Sequence, residues 1–197
     1  MKVLGLCGGS GSGKGLLSVL FNELGILSID TDKVYHTLIS TDSKCTMELV
    51  KAFGNEIHAK PGIDRDKLRT IAFASQKNLE VINSITHKHI LKKVREEIKN
   101  IESTKKAKGV LIDAPLLFES GFDRECDITI CVIADNESRI KRILERDNIT
   151  FEDAKRRIDS QIDNQTLINK CTYCVENNST VQNLKEQVKK LYNTIFD

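Results

Sequence analysis

Apolar residues along this chain follow two rhythms, short unbroken runs and helical spacing. Val3-Leu4-Gly5-Leu6-Cys7 is a run that ends at a cluster of glycines, and Leu27-Ser28-Ile29-Asp30, Val110-Leu111-Ile112-Asp113 and Ile128 to Ala134 repeat the pattern. Runs of this length read as strands buried in a parallel sheet. A fifth strand is predicted around Cys171 to Val175. Between the runs, Leu16, Leu17, Val19, Leu20, Phe21 and Leu24 recur at helical spacing until Gly25 stops them, and Val34 and Leu38 mark a second helix. Residues 43 to 100 carry no clear strand. Helical patterns run there through Thr46–Phe53, Lys67–Ala74 and Leu79–Ile101, broken by Lys60-Pro61-Gly62. Further helices are predicted over Asn136–Arg146, Phe151–Ile162 and Val181–Ile195. Five strands alternating with helices predict an α/β fold with a five-stranded parallel sheet and a helical insertion.

At 197 residues and 40% hydrophobic content the chain can bury one sizeable core. It has no apolar stretch of about 18 residues, and Met1-Lys2 lead straight into the first strand without a cleavable signal pattern. The expectation is a soluble cytoplasmic protein that binds neither membrane nor nucleic acid, since a net charge of +2 is too balanced for a nucleic-acid footprint. The six cysteines are expected to be reduced thiols. Cys171-Thr172-Tyr173-Cys174, with Cys126 and Cys131, could supply four thiolates to zinc, but the strand pattern from Cys171 to Val175 favours a structural reading.

The chemistry is concentrated in Gly8-Gly9-Ser10-Gly11-Ser12-Gly13-Lys14-Gly15, which satisfies the phosphate-loop pattern G-x-x-x-x-G-K and then has glycine where Ser or Thr belongs. The strand before it and the helix after it supply the context the motif needs, and no G-x-G-x-x-G dinucleotide pattern fits these glycines. Lys14 and the loop amides are candidates to hold a nucleoside triphosphate. Arg139, Arg142 and Arg146 share one face of a predicted helix, and Arg142 and Arg146 are the stronger candidates to neutralise a transferring phosphate. Asp30 and Asp32 close a strand whose carboxyl end belongs near the loop; one of them can cap the next helix, and the other can act as base or metal ligand. Asp113 ends an apolar run in the manner of a Walker B carboxylate.

The phosphate loop does not stand alone. Ile29-Asp30-Thr31-Asp32 with His36 and Leu38, Gly62-Ile63-Asp64-Arg65 with Leu68 and Phe73, and Ile85-Thr86-His87 follow it. Asp113-Ala114-Pro115-Leu116-Leu117-Phe118-Glu119, Cys126-Asp127, Arg142, Arg146-Asp147, Arg157 with Gln161, and Val175-Glu176-Asn177-Asn178 complete the set. In order and spacing these resemble dephospho-CoA kinase over essentially the whole chain. The resemblance implies a P-loop kinase fold with a core of about residues 1–42, 108–138 and 170–197, an acceptor-binding insertion of about 43–107 and a lid of about 139–165. It implies transfer of the γ-phosphate of ATP, with Mg²⁺, to the 3′-hydroxyl of dephospho-CoA by a monomeric enzyme. Asp32 takes the place of the general base, with Lys14 and Arg142 also catalytic. Gly9, Ser10, Gly11, Ser12, Gly13, Lys14, Gly15, Leu16, Arg142, Arg146 and Asn177 fall on ATP. Asp32, Arg65, His87, Leu116, Leu117 and Glu119 fall on the acceptor, and Asp30 and Asp113 on the metal, directly or through water.

Three positions depart from that pattern. Gly15 and Leu16 replace Ser-Thr, so the loop hydroxyl for Mg²⁺ is missing, and Ser18 lies about 4.5 Å of helical rise beyond Gly15, too far to replace it. Lys88 stands where the family has Pro after His, which is expected to remove a helix-start constraint near the acceptor. A water oriented by Asp30 or Asp113 can fill the vacated metal position, at the cost of weaker metal or ATP affinity. The competing readings are a kinase for another small molecule, such as a nucleoside monophosphate, and a family member that binds nucleotide or CoA without catalysis.

Overall fold

The computed structural model describes residues 1–197 and places strands on all five apolar runs: β1 (Lys2–Cys7), β2 (Leu27–Asp30), β3 (Gly109–Asp113), β4 (Ile128–Ile133) and β5 (Tyr173–Glu176). They form one sheet in the order β2-β3-β1-β4-β5. β1 is central, parallel to β3 from Lys2↔Gly109 to Leu6↔Asp113 and to β4 from Leu4↔Ile128 to Cys7↔Cys131. The chain leaves β1 toward one side of the sheet and later crosses to the other, so the carboxyl end of β1 is the switch point where open α/β sheets bind ligands. The register sets Asp113 beside Leu6, two residues before the glycines.

Alternation along the strands turns Leu4, Leu6, Ile130, Val132 and Val175 toward α1 (Lys14–Glu23) and α9 (Val181–Phe196). Leu17, Leu20 and Phe21 from α1 and Leu184, Val188, Leu191 and Ile195 from α9 complete that core. α1 ends where predicted: the N–H of Gly25 donates to Asn22 O and that of Ile26 to Phe21 O, with Gly25 left-handed at φ 83°. This paired closure satisfies the last carbonyls of the helix, and the left-handed residue it needs is cheapest as glycine.

Contacts divide the chain into two compact units, Met1–Ile29 with Ile101–Asp197, and Asp30–Asn100. In the second, α2 (Thr31–Ile39), α3 (Lys44–Phe53), α4 (Arg65–Ala74) and the first part of α5 (Gln76–Thr104) enclose Ile39, Cys45, Leu49, Ile57, Ile63, Leu68 and Ile82. This unit begins before residue 43 because Tyr35, Leu38 and Ile39 of α2 belong to its core. No helix starts at Lys88, because α5 runs unbroken through this position, and Lys88 Nζ reaches Glu48 Oε1 of α3 at 3.0 Å. A proline there would remove an interior helix hydrogen bond instead of starting a helix.

In the first unit, α6 (Asn136–Asp147) and α7 (Phe151–Asp159) pack through Ile143, Ala154 and Ile158. The predicted helix over Phe151–Ile162 stops at Asp159, and Asp163 caps a separate α8 (Asn164–Lys170) by accepting from Thr166 N. No helix is long and apolar enough to cross a membrane.

A Cβ on Gly25 would meet nothing within 4 Å, so Gly25→Ala isolates the cost of a left-handed alanine. It is expected to lower unfolding stability by about 1 kcal/mol without changing the denaturant slope, as urea titration will show.

Candidate active site

The loop between β1 and α1 is held by its carbonyl groups. Gly9 O accepts from Ser12 N at 3.0 Å, Ser10 O from Arg139 Nε at 2.9 Å, Gly11 O from Arg142 Nη1 at 3.1 Å and Ser12 O from Asn177 Nδ2 at 2.8 Å. Gln161 Oε1 ties the set together, accepting from Ser10 N and Arg139 Nη2, each at 2.9 Å. Two loop glycines make this bracing possible. A Cβ on Gly9 would lie 2.3 Å from Arg139 Nη2, and one on Gly13 would lie 2.1 Å from Asn177 Nδ2. Gly13 also starts α1 in a left-handed conformation, φ 99°, with no side chain capping the first turn. That turn therefore presents the positive end of the helix dipole at the loop. Ser12 Oγ is buried without a hydrogen-bond partner, as suits a hydroxyl placed for a phosphate oxygen.

The braces come from two elements at the carboxyl end of the sheet. Asn177 directly follows β5, and its N–H is fixed on Ile133 O at the end of β4. α6 starts at Asp135, whose Oδ1 accepts from Ser138 N at 2.7 Å, and its i, i+3, i+7 spacing turns Arg139, Arg142 and Arg146 to the loop. Arg139, the weakest candidate of the three by sequence, is 3% exposed and fully committed to the loop. Burial lowers its pKa, yet a guanidinium remains charged. Arg142 Nη1 holds Gly11 O and its Nη2 holds Asn177 O at 2.8 Å, so it supports the loop backbone. Asn177 likewise braces the loop, spending its amide on Ser12 O.

Lys14 forms an ion pair with Asp113 Oδ1, and Ser18 Oγ donates to Asp113 Oδ2 at 3.0 Å. Both members of the ion pair are largely removed from solvent. Ser18, one helical turn beyond Lys14, thus orients the carboxylate. Gly15 is exposed, and a Cβ there would meet nothing within 4 Å. No packing requirement in the protein explains glycine at this position. Leu16 lies partly buried against the sheet core and contributes only backbone to the loop.

Among the residues assigned to the acceptor, Leu117 lies deepest. It is fully buried, and a Cβ on Gly5 of β1 would lie 2.9 Å from its Cδ2, so it anchors its segment in the core. Its neighbours Leu116, 46% exposed, and Glu119 remain at the surface. In the second unit Asp30 caps α2, its Oδ1 accepting from Asp32 N at 3.0 Å and Lys33 N at 3.1 Å. Asp32 is exposed in the first turn of α2. Arg65 lines a cleft of about 510 Å³ with Tyr35, Arg69, Leu79, Ile82 and Asn83. His87 is half-buried in α5 and does not line that cleft. Sequence reading missed Tyr35, Arg69 and Asn83, which share no motif and come together only through the packing of α2, α4 and α5.

Arg146, the most exposed arginine of the stripe, is held by Asp147, Nε to Oδ1 at 2.6 Å and Nη2 to Oδ2 at 2.9 Å, and its Nη2 approaches Ser10 Oγ at 3.4 Å. Arg157 of α7 joins the same carboxylate. Hydrogen bonds from Arg146, and then from Arg157, lower the Asp147 carboxyl to about 2. A carboxyl whose pKa falls on folding adds stability above its ordinary value of about 3.9, and that contribution fades as pH falls toward 2. Melting curves from about pH 5 to pH 2 should therefore fall more steeply for the native protein than for Asp147→Asn. Parallel curves would show that the cluster adds nothing to the fold.

The family model for dephospho-CoA kinase matches residues 2–183. A dephospho-CoA kinase of Fusobacterium nucleatum is 38% identical over 196 residues, 99% of each chain. A dephospho-CoA kinase structure from Campylobacter jejuni superposes with TM-score 0.70 at 26% identity, over 98% of this chain and 96% of that one. A Thermus thermophilus protein, TT1252, shares the fold with TM-score 0.84 at 23% identity, over 100% and 98%. With its five-stranded parallel sheet, braced phosphate loop and arginine-bearing helix, this chain belongs to the dephospho-CoA kinase family.

Proposed function

We propose that this chain transfers the γ-phosphate of ATP to the 3′-hydroxyl of dephospho-CoA, giving CoA and ADP in a monomeric cytoplasmic enzyme. One observation carries the reading: a phosphate loop whose lysine is already paired with the carboxylate at the end of β3, in a chain matched along its length by dephospho-CoA kinases. Phosphoryl transfer asks a protein for positioning and charge neutralisation more than for covalent chemistry. The loop amides from Gly9 to Leu16 and Lys14 hold the polyphosphate. Arg139, Arg142 and Asn177 keep the loop carbonyls turned aside, and Arg146, held beside the loop by Asp147, supplies positive charge for the transferring group. Movement of the lid segment, about 139–165, serves to exclude water that would otherwise compete with the ribose hydroxyl.

On the acceptor side the reading assigns Asp32 as the base that takes the hydroxyl proton, since Asp30 is committed to its helix cap. Arg65, in its cleft, is assigned to the acceptor together with His87, Leu116 and Glu119. The donor set suits Mg²⁺, which takes one or two carboxylates, phosphate oxygens and water. Asp113 would hold it, with water in the space beside Gly15, and bound metal would neutralise charge on the phosphate oxygens.

ADP release measured with and without dephospho-CoA tests the reaction. Release is expected to depend on the acceptor, and Asp32→Asn is expected to lower kcat by about 10²–10⁴ while ATP-analogue binding persists. Nucleotide binding without acceptor-dependent release would sink the catalytic reading in favour of a binding protein. Gly15→Ser restores a hydroxyl without a clash. It should lower the Mg²⁺ concentration for half-maximal turnover by about tenfold to a hundredfold. An unchanged or higher requirement would count against the water-filled metal shell.

A further inference from the structure

Four of the six cysteines meet at the carboxyl end of the sheet, an arrangement the phosphate-transfer reading leaves unused. Strand register sets Cys7 of β1 beside Cys131 of β4, and Cys131 beside Cys174 of β5. Leu6, Ile130, Val132 and Val175 face α1 and α9, so alternation turns these cysteines to the opposite face of the sheet. Cys171, between α8 and β5, lies over the row with its Sγ 3.5 Å from Cys7 Sγ. Its backbone is held on both sides: Cys171 N donates to Leu167 O at 3.0 Å, and Thr172 N donates to Thr129 Oγ1 at 3.0 Å. Cys126 stands apart, bonded to Phe122 O, so the four thiolates considered for zinc do not assemble, and no three Cys, His, Asp or Glu residues are arranged as metal ligands.

What assembles instead is a half-buried sulfur, Cys171, against two buried thiols, with Cys174 exposed at the end of the row. Cys171 is half-buried, whereas Cys7 and Cys131 are closed off. The thiols of Cys131 and Cys7 and the Thr129 hydroxyl donate to the Cys171 sulfur and pull its pKa down to about 4. The Cys7 and Cys131 thiols are pushed up, first by that same bond and then by burial. Low pKa and exposure make a thiolate the nucleophile, and a thiol in contact with it is the partner that resolves an oxidised sulfur.

We propose that Cys171 is a hydroperoxide-reactive site resolved by Cys7 into a disulfide joining the approach to β5 with the strand that carries the phosphate loop. In the first step the Cys171 thiolate attacks the terminal oxygen of a hydroperoxide. The O–O bond breaks, an S–O bond forms, and the departing alkoxide takes a proton from water, leaving sulfenic acid and an alcohol. In the second step Cys7 gives up its proton and attacks the Cys171 sulfur. The S–O bond breaks, hydroxide leaves with that proton as water, and the S–S bond forms. Two thiols lose two electrons, and the peroxide gains them. The sulfurs must close from 3.5 Å to about 2 Å, a short movement between side chains already in contact.

The test treats fully reduced protein with hydrogen peroxide, blocks remaining thiols with N-ethylmaleimide and maps peptides by mass spectrometry. The expected product is lighter by about 2 Da before alkylation and links the peptide of Cys171 to that of Cys7. Cys7→Ser combined with Cys131→Ser, which removes both thiols against it, should leave Cys171 as a sulfenic acid that dimedone captures, and Cys171→Ser should leave Cys7 open to alkylation after the same treatment. Absence of the link in the native protein, a link from Cys171 to another cysteine in its place, or an equal loss of mass in Cys171→Ser would each overturn the proposal.

Discussion

A phosphate loop works only if its amides point into one concavity, which forces its carbonyls to point away and find donors elsewhere. Here the donors are two guanidiniums and one amide, from Arg139, Arg142 and Asn177. The position of α6 and the path of the chain after β5 are conditions for the loop's shape. The glycines follow from the same constraint, since Gly9 and Gly13 have no side chain because Arg139 and Asn177 occupy that space. The arginine face of α6 therefore does two kinds of work. Arg139 and Arg142 hold the loop backbone, and the exposed member, Arg146, is held by Asp147 and approaches only the Ser10 hydroxyl.

Much of this was legible in the residues. Unbroken apolar runs located all five strands, because strands buried in a parallel sheet leave little room for polar residues. Gly25 located the end of α1, and the Asp30–Asp32 pair the start of α2, for equally local reasons. Contacts between distant segments were less visible. A charged stripe usually means a solvated helix face, so the burial of Arg139 could not be read from its spacing. Leu117 belongs to a distinctive motif, and nothing in the motif says that this leucine faces β1 and not a ligand. Ser18 and Asp113 are 95 residues apart and meet only because β3 pairs beside β1. The cleft around Arg65 has the same origin in packing.

In the second unit α5 runs as one 29-residue helix through Lys88, whose ammonium reaches Glu48 on α3. Gly15 departs from the phosphate-loop pattern without touching the fold, since a Cβ there would meet nothing within 4 Å.

Under the proposed function, the ion pair between Lys14 and Asp113 would give nucleotide binding the character of an ion exchange. Lys14 does not wait as an uncompensated charge; it would exchange one anion for another. The desolvation of both partners is already met in the folded protein, so the free energy of binding would be a difference between two ion pairs and not the full strength of either. Parting from Lys14 would also uncover a carboxylate fixed by Ser18, which would then call for a new cation. Polyphosphate and metal would thereby be thermodynamically linked through the Lys14–Asp113 pair, each making the other's arrival more favourable.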